Sequence, residues 1–278
     1  IVGTYTVTYN VSDATSNADT EVTRTINGVD TTAPVITLGG ISPVTVECGD
    51  VYTDAGATAN DACGGDLSAS IVTVNPVNSG IVGTYTVTYN VSDATSNAAT
   101  EVTRTINVVD TTAPVITRLG NATETVECGD TYTDAGATAN DACDGNLTAS
   151  ILTVNPVDAG VVGSYSVTYN VSDAATNAAA EVTRTVDVVD TTAPVLTLLG
   201  DPVVTTDLGL GYTDAEATAA DACGGNLTTS IVTVNPVDTG VLGEYTITYD
   251  VSDAASNAAA QIQRTVYVVD PTLPYVEQ

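Results

Sequence analysis

The chain is periodic, and its period limits the fold more than any other feature. Tyr5, Tyr85, Tyr165 and Tyr245 recur at one fixed spacing, and so do Arg24, Arg104, Arg184 and Arg264. Residues 31–110 and 111–190 agree at 59 of 80 positions without an insertion or deletion. A unit of that size can hold its own core, unlike the shorter units of a solenoid, so a tandem array of domains is expected. Its segments are 1–30, the C-terminal part of a repeat; the full repeats 31–110, 111–190 and 191–270; and 271–278, the start of a following segment. Residues 1–30 match 81–110 at 28 of 30 positions. The chain therefore reads as a window on a longer array that continues before Ile1 for about 50 residues.

Within a repeat the apolar period is two. Tyr85, Val87, Tyr89 and Val91 fall on one face of a strand, and Thr86, Thr88, Asn90 and Ser92 on the other. The run from Val102 to Val108 alternates again, across a small polar loop from Asp93 to Ala98. Further strands are expected at Val115–Thr117, Thr125–Cys128 and Ser150–Val154, separated by Gly129-Asp130, Asp144-Gly145-Asn146 and Asn155-Pro156 turns. No window carries a convincing helical period. The expectation is all-β: tandem immunoglobulin-like antiparallel β-sandwiches in an extended rod. Linkers such as Asp110-Thr111-Thr112-Ala113-Pro114 would set a similar rotation at each junction.

The segments DTTAPVIT, GTYTVTYNVSDA and EVTRTINVVD, with the TVECGD…YTDAGATA pattern, resemble bacterial Ig-like surface repeats of the hyalin-repeat and pesticidal-crystal-protein type. The resemblance runs along essentially the whole chain. It implies a secreted or surface location, spacer, stalk or accessory roles, and no catalytic residues.

Composition narrows the function. Five Arg and no Lys face 34 Asp plus Glu, a net charge of −29, so the chain repels nucleic acid and anionic membrane surfaces. No apolar run approaches the roughly 18 residues that a membrane helix needs, so no membrane insertion is expected within this segment. With neither His nor Lys, only carboxylate pairs remain for catalysis, and near-identical small sandwiches offer little room for the cleft they need. The chain reads as a non-catalytic extracellular structural array, a fibre subunit or surface-protein stalk, partnered by copies of itself or neighbouring repeats. The alternative is an adhesin module binding protein or carbohydrate through its loops.

Cys48 precedes Cys63 by the same interval that separates Cys128 from Cys143. An intradomain disulfide in each repeat is expected, closing a loop of about 15 residues, worth about 3 kcal/mol in the chain-entropy model. In repeat 191–270, Leu208 replaces the first cysteine, which leaves Cys223 either as a buried inert thiol beside Leu208 or in an intermolecular disulfide. The acidic residues crowd loops that a sandwich gathers at its ends, where hard oxygen donors suit Ca2+. Candidate ligands are Asp61, Asp66, Asp93, Asn97 and Asp110, then Asp141, Asp144, Asp173, Asn177 and Asp190. The competing reading is a solvated acidic surface, since no EF-hand loop is present. Arg104 has the parity of core-facing Val102 and Ile106, which calls for a carboxylate partner. Sequons such as those at Asn90, Asn121, Asn146 and Asn226 would permit N-glycosylation in a competent host.

Overall fold

The structure, a computed structural model, describes residues 2–272. The expectation for 271–278 therefore falls almost wholly outside the described residues. Contacts group these residues into two compact units. The first runs up to Val115 and includes Asn140–Leu147 and Ser172–Ala178. The second comprises Ile116–Ala139, Thr148–Val171 and the residues from Ala179 onward. Each is taken by itself below.

Unit 1 opens with an antiparallel hairpin, β1 (Gly3–Tyr9) and β2 (Val22–Gly28). Repeat 31–110 follows with β3 (Val35–Leu38), β4 (Val44–Glu47), β5 (Ala57–Asp61), β6 (Gly65–Asp66), β7 (Val72–Val74), β8 (Gly83–Asn90) and β9 (Val102–Val109). One sheet has the order β3-β5-β6 and the other β4-β9-β8-β7. All pairings are antiparallel except that of β4 with β9, which run parallel with Val44 opposite Ile106. The same strands recur from Val115–Arg118 to Val182–Val189, and from Val195–Leu198 to Ile262–Val269. Two sequence readings shift. A 3-10 turn, Thr148–Ser150, takes the start of the expected 150–154 strand, which begins at Leu152. The strand β5, made of Ala, Thr, Asn and Asp, carries no alternation of large residues and gives no strand signal. It pairs with β3 and β6, and Ala59 packs into the core at 2% exposure.

The core follows the period of two. Val87, Tyr89, Ile106 and Val108 project from the four-stranded sheet against Ile36 and Ala59 of the other. Arg104 sits among them, fully buried and opposite Val87. Its guanidinium pairs with Asp54 and donates to the carbonyls of Gly39 and Gly56, and it lies 5.7 Å from the Tyr89 ring centre. Tyr89 and Tyr52 also donate to Asp54, at 2.7 and 2.9 Å. Burial pushes the Asp54 carboxyl up, but the hydroxyls of Tyr89 and Tyr52 and the Arg104 charge outweigh it and leave the group below its ordinary value. In unit 2, Arg184 pairs with Asp134 at 3.0 Å, and Arg264 with Asp214. No helix among the described residues is long and apolar enough to cross a membrane.

Candidate metal centre at the repeat junctions

Three short segments converge at the start of each full repeat. The first is the hairpin loop between β8 and β9. Asp93 accepts the Thr95 and Asn97 backbone N–H groups on Oδ1 at 2.8 Å, and the Asn97 amide on Oδ2 at 2.7 Å. Burial pushes its carboxyl up, yet these bonds hold it below the usual range. Short Asp and Asn side chains favour such self-closed loops over continued strand. The second segment is the β5–β6 turn. Asp61 accepts the N–H groups of Cys63 and Gly64 on Oδ1, at 2.8 and 2.6 Å, while its buried Oδ2 meets no donor. The third is the linker, where the Asp30 carbonyl accepts the Asn97 amide at 3.2 Å.

These contacts bring carboxylate oxygens of Asp30, Asp61 and Asp93 within 4.8 Å of one another. Unit 2 repeats this with the equivalent residues Asp190, Asp221 and Asp253, and a second cluster in unit 1 joins Asp110 and Asp173 to Asp144, three residues beyond the Asp61 equivalent Asp141. Asp141 lies beneath the second cluster, 4% exposed, with Oδ1 taken by the Cys143 and Asp144 N–H groups and Oδ2 unpaired. Burial raises the Asp110 carboxyl pKa, and the charges of Asp141, Asp173 and Asp144 raise it further. Burial and the charges of Asp253 and Asp221 do the same to Asp190. An open cleft of about 320 Å3, lined by Gly80, Val82, Asp110, Cys143, Asp144 and Ala174, reaches the second cluster.

Of the candidate ligands, Asp61, Asp93, Asp110, Asp144, Asp173 and Asp190 fall in clusters, and Asp141 beside one. Asp66 does not: its Oδ1 accepts the Ser68 N–H and hydroxyl, at 2.9 and 2.6 Å. Asn97 and Asn177 act as donors that tie the linker to the loop. The sequence reading omits Asp30, Asp221 and Asp253, although each stands one full period from a candidate and the repeat alone points to it.

The cysteines correct the expected pairing. The disulfides are Cys48–Cys143 and Cys128–Cys223, each spanning 95 residues, so neither Cys48–Cys63 nor Cys128–Cys143 forms. Cys48 follows β4, and its N–H bonds to the Val109 carbonyl at 2.7 Å, beside the outgoing linker. Cys63 follows Asp61 closely in the β5–β6 turn, beside the incoming linker. One repeat's cysteines thus lie at opposite ends, and each junction between two full repeats joins the first cysteine of one to the second of the next. Gly49 allows the approach: its φ is +89°, and a Cβ there would come within 3.3 Å of the Ala142 carbonyl. Cys223 is therefore neither a buried thiol nor an intermolecular link, and Leu208 is 40% exposed rather than packed over it. Cys63 is exposed and free. Glu47 completes the junction by accepting the N–H and hydroxyl groups of both Thr111 and Thr112, at 2.7 to 3.0 Å. Glu127 holds Thr191 and Thr192 in the same way within unit 2.

Comparison with known proteins places the repeats in a family. A model described as "Bacterial surface protein, Ig-like domain" matches residues 36–108, 116–188 and 196–268. Hyalin of Strongylocentrotus purpuratus is 32% identical over 292 aligned residues, covering 99% of this chain and 24% of that protein. Hyalin of Lytechinus variegatus is 36% identical over 238, covering 80% and 44%. The chain thus spans less than half the length of either. Among solved structures, the titin I-band fragment I67–I69 aligns over 86% of this chain and all of its own, at 11% identity and a TM-score of 0.30. With three tandem matches across most of its length, the chain belongs to the bacterial surface Ig-like domain family.

Proposed function

We propose that this chain is a non-catalytic structural segment of an extracellular surface protein, a stalk or fibre subunit whose neighbours are further copies of the same repeat. The observation that carries this reading is the disulfide step of 95 residues, which fastens each repeat to the next rather than closing a repeat on itself. A covalent staple across a junction resists separation of domains, which a load-bearing array needs and a chain of independent binding modules does not. Disulfides persist in oxidising surroundings, in keeping with an extracellular place. The buried charges are paired with one another: Arg104 and Tyr89 both bond to Asp54 in the core. Surface labelling of intact cells, followed by electron microscopy of the labelled material, tests the proposal. Regular filaments or uniform stalks are expected. Label confined to a distinct terminal head would favour the adhesin reading and overturn this one.

A further inference from the structure

We infer that each repeat junction binds one Ca2+ ion through its linker aspartate and the loop aspartates of the following repeat. The inference rests on the carboxylate geometry and holds whether or not the array is a stalk. At the first junction the ligands are Asp30, Asp61 and Asp93, drawn from three segments far apart in sequence yet within 4.8 Å at their oxygens. Three carboxylates so close repel one another unless a cation neutralises them.

A second observation separates this from a merely acidic surface. Asp61 is 3% exposed, and the N–H groups of Cys63 and Gly64 both go to its Oδ1. Its Oδ2, equally buried, has no donor at all. Asp141 and Asp221 repeat the pattern, with two N–H groups on Oδ1 and an unpartnered buried Oδ2. A buried carboxylate oxygen without a partner is costly, and its recurrence, on a cluster member at the first and third junctions and on Asp141 beside Asp144 at the second, points to a position that a cation fills. Among the described residues no protein cation does so. The ion pairs found among the described residues join Arg104, Arg184 and Arg264 to carboxylates outside the clusters.

The donor set selects the ion. It is all oxygen: no His or Cys joins any of the three clusters, Cys143 and Cys223 beside the second and third are oxidised, and the free Cys63 beside the first is one thiol where zinc sites use several nitrogen or thiolate ligands. Carboxylates from three separate segments can vary their reach and denticity, which suits the six to eight flexible ligands of Ca2+ better than the strict octahedron of Mg2+. The second junction offers a further carboxylate, because Asp144 stands where the other repeats have Gly64 and Gly224. That junction is expected to bind most tightly.

Equilibrium dialysis of the EGTA-stripped chain against Ca2+ decides the matter. Three ions per chain are expected, with half-saturation at about 0.1–1 mM, the range of extracellular modules. Asp110→Asn and Asp190→Asn should each lower the stoichiometry to two, since the linker aspartates make few other bonds. Asp66→Asn, outside the clusters, should leave it at three. Peptide mapping that finds Cys48–Cys143 intact in Asp110→Asn shows the junction still folded. An unchanged stoichiometry in both linker variants, or weak binding without a plateau, would overturn the inference in favour of diffuse counter-ions. Equal binding of Mg2+ at the same concentration would overturn the assignment to calcium.

Discussion

Two hairpins of this chain agree at 28 of 30 positions and differ in almost everything that burial decides. In β1–β2 and β8–β9 the register is the same, with Val7 opposite Arg24 and Val87 opposite Arg104. The loops close identically, Asp13 and Asp93 each accepting the backbone and side-chain N–H groups of the loop asparagine, Asn17 or Asn97. Yet Val87, Tyr89 and Ile106 are wholly buried, while Val7, Tyr9 and Ile26 are 36%, 52% and 48% exposed. The second hairpin has β4 and β7 on its flanks and β3-β5-β6 across from it. Two substitutions in sequence cannot cause this. Strand, register and loop belong to the local sequence, whereas core, ion pair and staple belong to the neighbours.

Equivalent substitutions in the two copies test that division. The largest contrast is expected at the junctions that follow the hairpins. Cys143→Ser removes the Cys48–Cys143 staple, a loss on the order of 4 kcal/mol in the chain-entropy model, and Cys63→Ser, its equivalent, should change nothing. Urea denaturation measures the difference, and non-reducing peptide maps of the wild type should show 48–143 and 128–223 with Cys63 alkylated. A similar gap is expected for arginine. Arg104→Ala strands Asp54 and two carbonyls in the core and should cost about 3–5 kcal/mol, against about 0.5 or less for exposed Arg24→Ala. Equal effects of the two would show that the buried pair contributes nothing.

Tyr89→Phe should cost about 1–2 kcal/mol by removing the hydroxyl bonds to Asp54, while Tyr9→Phe stays near zero by the same urea measurement. Acid titration gives the finest contrast. The folded pKa of Asp54 is depressed, so its contribution is present above the unfolded carboxylate value and vanishes as pH falls through the lower folded one. Asp54→Asn should flatten that limb of the stability–pH curve. Asp110 has the opposite sign. Its raised pKa penalises the folded state at neutral pH, and in chelator the melting temperature should rise slightly as pH falls towards that pKa. Asp110→Asn should abolish the rise.

Much of this is legible in the sequence because it is local. Alternation in Tyr85–Val91 and Val102–Val108 marks β8 and β9, and the Asp-x-Thr-x-Asn loop closes on itself even where nothing covers it. The parity of Arg104 places a cation in the core, though not its partner Asp54, which lies 50 residues away in a segment without regular structure. The strand β5 stays hidden because its signal is smallness, and small residues mean strand only where two sheets close on them. The acidic clusters are half visible: loop aspartates are recognisable by composition, but which linker meets which loop depends on the fold.

The cysteines mark the boundary most sharply. Period, turns and the alternating strands with their two faces follow from residue spacing along one chain segment, and no long-range contact is needed to derive them. In a periodic chain, however, a cysteine in the same repeat and its copy one period further on occupy equivalent positions, and no pattern of spacing can separate them as partners. That choice belongs to tertiary structure. It puts Cys48 at the outgoing end of a repeat and Cys63 at the incoming end, beyond the reach of a disulfide that needs its Cα atoms about 5–6 Å apart, and so turns a staple within a domain into one between domains.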